Sequence, residues 1–364
     1  MQFRVLVCNT VAIASLVIAA PVWAGGTIKI DEVKSVTAGA GLRSGMSFVE
    51  NSAPSGEDYS KNISMGSIRL YFGGTLHENI SLEFNTEMSD CQGESCVRVL
   101  DAVAKVQISE AFNLWVGRFL PPSDRSNLSG PYFGNQWSFP MVQMYPAIFA
   151  GRDDGLAVWG KLADGRLKYQ VGTFKGARGP SNDRDLPLTS ARLTLNLWDI
   201  EGGYYNNSTY YGEQDTLAIG LVGMYQPDAL GSSGARGDYL GWNVDFLLEK
   251  KIPAGVPTLE AAFYNYDARG IAEDKTEIFE GMGYFVTGSW LLNGTQGPGT
   301  LQPKIRYQEL LPSSDALEGT TRIDGGVDYV ITGHNARISF SVSQTSSGDA
   351  PAVNAVDLGL QVQL

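Results

Sequence analysis

The chain has 364 residues, 43% of them hydrophobic, 43 glycines, a formal net charge of −12 and a mean hydropathy of −0.10. With 39 acidic against 27 basic side chains, it lacks the excess of Lys and Arg that phosphate contacts need, which excludes nucleic acid as an expected partner. Near-neutral hydropathy does not exclude a membrane, because alternating strands average each lipid-facing residue against a polar neighbour.

The N-terminus reads as an export signal. Arg4 supplies the positive region, 5–20 an apolar core, and Val22-Trp23-Ala24 the small residues before a cut. The expected signal peptide is 1–24, with the mature chain starting near Gly25. Cys8 does not follow the apolar core, where a lipoprotein cysteine would stand, so that anchor does not fit. No later stretch approaches the roughly 20 apolar residues of a membrane helix, so any crossing must use strands. Cys91 and Cys96 sit in a polar connection and are candidates for a small disulfide in an oxidising compartment; two free thiols are the alternative.

Period-two alternation then runs to the last residue. Ile80, Leu82 and Phe84 alternate with Ser81, Glu83 and Asn85, and Leu193, Leu195 and Leu197 with Arg192, Thr194 and Asn196. The end repeats it: Val356, Leu358, Leu360, Val362 and Leu364 share one face, Asp357, Gly359, Gln361 and Gln363 the other. Strands are expected at 33–45, 63–75, 79–89, 97–109, 112–119, 154–163, 166–175, 188–198, 214–226, 238–249, 257–268, 279–292, 302–310, 320–332, 335–345 and 354–364. Connections alternate between long polar ones, such as 50–62, 121–153 and 176–187, and tight ones, such as 163–165 and 333–334. A soluble sandwich also alternates, but long strands and alternating loop lengths favour an all-β fold, a transmembrane antiparallel β-barrel of about sixteen strands over 25–364. Eighteen strands fit if 199–213 hides an extra pair. Trp115, Trp137, Trp159, Trp198, Tyr239, Trp242 and Trp290 are expected in girdles at the membrane interfaces, with core packing as the alternative.

The third outer connection, at about 120–153, is long enough to fold inward as a constriction. Arg118, Asp124, Arg125, Arg152, Asp153 and Asp154 cluster at its ends and are the candidate constriction charges. Alternation turns Arg69, Lys105, Lys168, Arg192, Lys304, Arg306 and Arg337 toward the lumen, together with Arg43, Glu83, Asp101, Asp245, Glu260, Asp324 and Asp328. The two histidines, His77 and His334, fall in short turns without a nucleophile beside them, so no catalytic, metal or cofactor site is expected.

Four segments together resemble the phosphate-selective porin O and P family: Trp115-Val116-Gly117-Arg118-Phe119; Leu195-Asn196-Leu197-Trp198 with Glu201-Gly202-Gly203-Tyr204-Tyr205; Ser208-Thr209-Tyr210-Tyr211-Gly212 with Asp215-Thr216-Leu217-Ala218; and Gly326-Val327-Asp328-Tyr329 with Gly333-His334-Asn335-Ala336. The resemblance implies a sixteen-stranded homotrimeric porin of the bacterial outer membrane with an inward third loop, passing small hydrophilic or anionic solutes. It also implies that 199–213 is a periplasmic excursion. The alternative is a plugged barrel serving as adhesin, scaffold or sheath of an electron-transfer complex. A filled lumen would favour that alternative; an open lumen narrowed by the third loop would favour the porin.

Overall fold

The computed structural model describes residues 25–89, 97–144, 151–271, 279–314 and 317–364. The expected export signal and the Cys91/Cys96 pair lie outside them. The strands are β1 (Gly26–Lys29), β2 (Ser35–Val49), β3 (Asn62–His77), β4 (Ile80–Met88), β5 (Val97–Ser109), β6 (Phe112–Phe119), β7 (Asp153–Leu162), β8 (Leu167–Phe174) and β9 (Leu188–Asn196). They continue with β10 (Thr216–Ser232), β11 (Ala235–Glu249), β12 (Gly255–Arg269), β13 (Gly281–Leu292), β14 (Thr300–Pro312), β15 (Thr320–Thr332), β16 (Ala336–Ser347) and β17 (Val353–Gln363). Among the described residues one helix, α1 (Arg125–Phe133), lies in the third long connection.

From β2 to β17 each strand pairs antiparallel with the next. β17 then pairs back onto β2, Leu358 opposite Met46 and Gln361 opposite Arg43, closing a ring of sixteen strands. Closure leaves no edge with unpaired backbone groups, the condition for a sheet in lipid. The short β1 pairs with β2 at Gly26 opposite Ala38. Leu364 exchanges backbone hydrogen bonds with Ala40 just above it, so β1 takes up the line of β17 where that strand ends.

The polarity of the two faces decides what kind of barrel this is. Phe340 and Val342 on β16 are 47% and 44% exposed, whereas Arg337 on the opposite face is 0% exposed. The same holds on β9, where Leu193 and Leu195 face out and Arg192 and Thr194 are buried. A soluble sandwich buries its apolar face; this sheet shows it outward and encloses the polar one, as a membrane-spanning barrel does.

Departures from the sequence reading are local. The stretch 197–215 holds no strand and folds into the barrel interior, with Glu201, Tyr204, Asn206, Ser208 and Thr209 buried. β10 and β11 run on past a bulge between Gln226 and Leu230, where Asp228 takes a φ of 52°, into a tight turn at 233–234. Of the expected girdle, Trp242 and Trp290 do face outward. Trp115 and Tyr239 are buried inside, Trp159 packs partly buried against the core, and Trp137 lies within the third loop, because each follows the inward phase of its strand or the loop itself. The wall is uneven: β6 to β9 have 8, 10, 8 and 9 residues, β10 to β12 have 17, 15 and 15.

Candidate pore constriction

The third long connection enters the barrel and is tied to its wall nearly all the way round. It opens on Pro121-Pro122, after which Asp124 caps α1 by accepting from Asn127 N at 3.3 Å. The helix is broken at Gly130, whose φ of 60° suits glycine and which precedes a proline that has no N–H to donate. The chain then crosses the lumen as an irregular stretch of bends and a turn. Wall side chains grip its backbone: Arg192 donates to Ser123 O at 3.0 Å, Gln361 to Tyr132 O at 2.9 Å, Arg337 to Gly134 O at 2.8 Å, Arg43 to Trp137 O at 2.6 Å, Arg306 to Ser138 O at 2.9 Å and Tyr266 to Val142 O at 2.8 Å. Arg43 also stacks on the Trp137 ring at 3.9 Å.

From the short-turn end, 197–215 rises to meet this loop. Arg125 on α1 makes two parallel hydrogen bonds to the Glu201 carboxylate, at 2.6 and 2.8 Å, and a third to Asn207 O at 2.8 Å. Ser208 N donates to Phe133 O at 3.2 Å and Tyr204 OH to Leu120 O at 2.9 Å. Tyr204 stacks on Trp115 at 4.4 Å, which fixes the excursion to β6. Glu249 of β11 accepts from Thr209 Oγ1 at 2.7 Å and from Gly212 N at 2.9 Å. Two segments from opposite ends of the barrel therefore interlock around a buried ion pair.

The inward bases are each engaged. Arg69 pairs with Glu87 at 2.6 Å, Lys105 with Glu83, Arg192 with Asp245, Lys304 with Asp328 at 2.6 Å, and Arg306 with Asp324 at 3.0 Å. Lys168 donates to Gly203 O at 2.8 Å and to Asn206 Oδ1 at 3.2 Å, both in the excursion, and Arg337 also lies 3.6 Å from Asp328. The ion pairs order the filling of the lumen and cancel most of its charge, whereas Lys168 and Arg43 meet only neutral oxygens and keep theirs.

The six constriction candidates divide. Asp124 and Arg125 lie at the centre of the filling, both 0% exposed, with Tyr264 OH donating to Asp124 at 2.9 Å. Arg152 pairs with Asp101 at 3.2 Å, and Asp153 accepts from Gly176 N at 2.6 Å, both at the lumen margin near the long-loop end. Arg118 and Asp154 are elsewhere. They face each other across β6 and β7 in the same phase as Val116 and Leu156, which places their 2.6 Å ion pair on the outer face of the barrel, about half exposed. Strand alternation overrides closeness to the loop.

Glu201 and His334 were not among the candidates. Burial alone would raise the Glu201 carboxyl, but the Arg125 charge and hydrogen bonds outweigh it and hold the group at about 2. His334, in the turn between β15 and β16, sets Nε2 at 2.9 Å from Thr209 O and Nδ1 at 3.2 Å from Tyr132 O, bridging excursion and loop. Burial, and then the Arg337 charge, push it down to about 4, so the ring is neutral at ordinary pH and donates to only one of the two carbonyls. Both stand in segments that carry the family resemblance, but nothing there marks their partners; the other signal was the unusual length of the connection that carries Glu201.

No protein-family model and no curated protein sequence matches this chain significantly. Solved structures do. OmpF of Salmonella typhi, in complex with daunomycin, aligns with a TM-score of 0.60 at 12% identity over 93% of this chain and 100% of that one. An anion-selective porin from Comamonas acidovorans gives a TM-score of 0.60 at 12% identity over 91% and 100%. Outer-membrane expressed OmpT of Vibrio cholerae gives 0.58 at 14% identity over 93% and 100%. At these identities the likeness is one of fold: the chain has the sixteen-stranded barrel architecture of bacterial outer-membrane proteins.

Proposed function

We propose that this chain is a bacterial outer-membrane porin, most simply a homotrimer, that passes small hydrophilic solutes through a strongly narrowed lumen and catalyses no reaction. The observation that carries this reading is the inverted polarity of a closed barrel, apolar outside and charged inside, with a long loop folded across the interior. The trimer and the outer membrane are taken from the resemblance and from the trimeric form reported for one structural neighbour, OmpT of Vibrio cholerae. The same resemblance implied anion passage. The pairing of the inward bases weighs against a strong version of it, since a fixed cation attracts anions only while its charge is uncompensated. A weak ion preference follows. Reversal potentials of the purified protein in planar bilayers under a salt gradient test this: weak selectivity fits, strong anion preference would restore the stronger reading, and absence of any conductance would remove the channel altogether.

A second reading, a plugged barrel serving as scaffold or sheath, is favoured by one observation. Inward side chains as far apart as Lys168, Gln308 and Gln361 are 0% exposed, so the two interlocked segments fill most of the cross-section. Conductance separates the two readings.

A further inference from the structure

The uncharged band on the outer face of the barrel is not equally tall all the way round. On β10 the outward side chains run without a charge from Leu217 to Tyr225, and on β13 from Leu292 to Met282. At about 3.3 Å per residue and a tilt near 40°, such runs rise about 20–25 Å, the height of a lipid-facing band. From β6 to β9 the run is cut short. On β6 the outward phase passes from Val116 to Arg118, on the neighbouring β7 from Leu156 to Asp154, on β8 from Val171 to Thr173 and then Lys175, and on β9 it ends at Thr189. What remains apolar there is only about 10–15 Å tall. Tilting the barrel in the membrane cannot account for this, because tilt shifts a band without shortening it, and both flanking strands are tall: β10 as above, and β5 from Ile108 to Val97.

Lipid meets such a face at a cost. Charged side chains at this depth are expensive in hydrocarbon, and a band about half the usual height must be matched either by a thinned bilayer or by a protein neighbour. Two observations favour a second copy of this chain. The wall is backed inside by packed rings, Trp115 on Tyr204 at 4.4 Å and Phe119 on Phe174 at 5.3 Å, so the face is already ordered and loses little freedom on docking. It also carries both signs of charge: Arg118 and Asp154 have 40% and 46% exposed side chains, and Lys175 beside them is exposed. A face with both signs is complementary to a rotated copy of itself, whereas lipid tails offer its charges nothing. Four strands spaced about 4.8 Å apart over about 25 Å of height give about 500 Å² before side-chain relief is counted, approaching the roughly 800 Å² that one partner gives to a specific contact.

We infer that the low sector β6–β9 is the face through which copies of this chain assemble, with Arg118, Asp154 and Lys175 making polar contacts across the boundary. The inference rests on the outer-membrane porin reading for its setting, but not on conduction. The full chain, expressed into outer membranes, carries p-benzoylphenylalanine at Leu156 or Val171 in the low sector, or at Val244 or Val286 on the tall wall, all four exposed. After irradiation the products are separated on denaturing gels and identified by mass spectrometry.

Chain-to-chain adducts are expected from Leu156 and Val171, and lipid adducts alone from Val244 and Val286. Chain adducts from the tall wall and none from the low sector would overturn this face while keeping the oligomer. Lipid adducts alone from the low sector would replace the second copy with a thinned bilayer. Chain adducts from none of the four positions would overturn the face whatever the protein conducts, and chain adducts from the low sector of a protein that conducts nothing would keep the face and remove the channel. Val171→Trp should also lower the oligomeric fraction in native mass spectrometry roughly tenfold, and Val286→Trp should leave it unchanged. Heat-modifiable migration on gels shows that both variants fold, and equal oligomeric fractions in the two would overturn the inference.

Discussion

Replacing Arg125 with methionine should unlock the lumen without dismantling the barrel. Arg125 and Glu201 are 0% and 1% exposed and joined at 2.6 Å, and Arg125 also reaches Asn207 O. Taking away one partner of a buried pair costs about 3–5 kcal/mol, mostly because the other charge stays buried. Asn206 Nδ2 at 2.7 Å and Tyr210 OH at 2.5 Å still face Glu201, so the lower end applies, about 3 kcal/mol. Spent on the contact between α1 and 197–215, that raises the open population roughly a hundredfold. The wall is held by its own ladders and should keep its thermal transition. Hydrogen exchange of the α1 amides, read by mass spectrometry, is the assay, and Leu128 N, bonded to Asp124 O at 3.0 Å, is a suitable reporter. Arg125→Met combined with Glu201→Leu should recover most of the lost protection, since an apolar pair leaves no stranded charge. Protection unchanged in the single variant, or additive losses in the double, would refute the interlock.

Four further outcomes follow from the same geometry. His334, held near 4 against an ordinary value of 6.5, supports the fold fully above pH 6.5 and loses that contribution as pH falls toward 4; His334→Gln should flatten the stability profile in that window, measured by thermal melts. The Glu201 lock, with its carboxyl near 2 instead of 4.5, should be at full strength above pH 4.5 and weaken progressively as pH falls toward 2, which exchange measurements across pH would check. Arg118→Gln should leave ion selectivity unchanged, because its pair with Asp154 lies on the outer face, away from the lumen; reversal potentials under a salt gradient check it. Gly117→Ala should disrupt the β5–β6 ladder, since glycine there has a φ of 132° and an added Cβ would sit 2.1 Å from Ala102 O; loss of the heat-resistant band on unboiled gels reports it.

The strands were legible because lipid and lumen impose opposite demands on neighbouring residues. β5, β6 and β15 match their expected bounds, the rest of β2 to β17 differ only at their ends, and the short β1 was not expected. The same phase, carried through β6 from Trp115 to Arg118, would have put Arg118 beside Val116 on the outer face; nearness to the long loop was the misleading cue. It would also have turned Trp115 inward, where it stacks on Tyr204. What no local pattern holds is pairing across distance. Arg125 and Glu201 stand 76 positions apart, in two irregular segments without a period, and their meeting depends on how both enter the barrel. The filling of the lumen was for the same reason readable as a long loop and an odd turn, but not as one interlocked body.

The interlock of α1 with 197–215 should make the proposed channel a narrow, internally latched path instead of a wide pore. Single-channel recording of the purified wild-type protein beside Arg125→Met tests it most directly. Small unit conductance is expected in wild type, and larger, more variable steps in the variant. Wide-pore conductance in wild type, or no difference between the two, would contradict it.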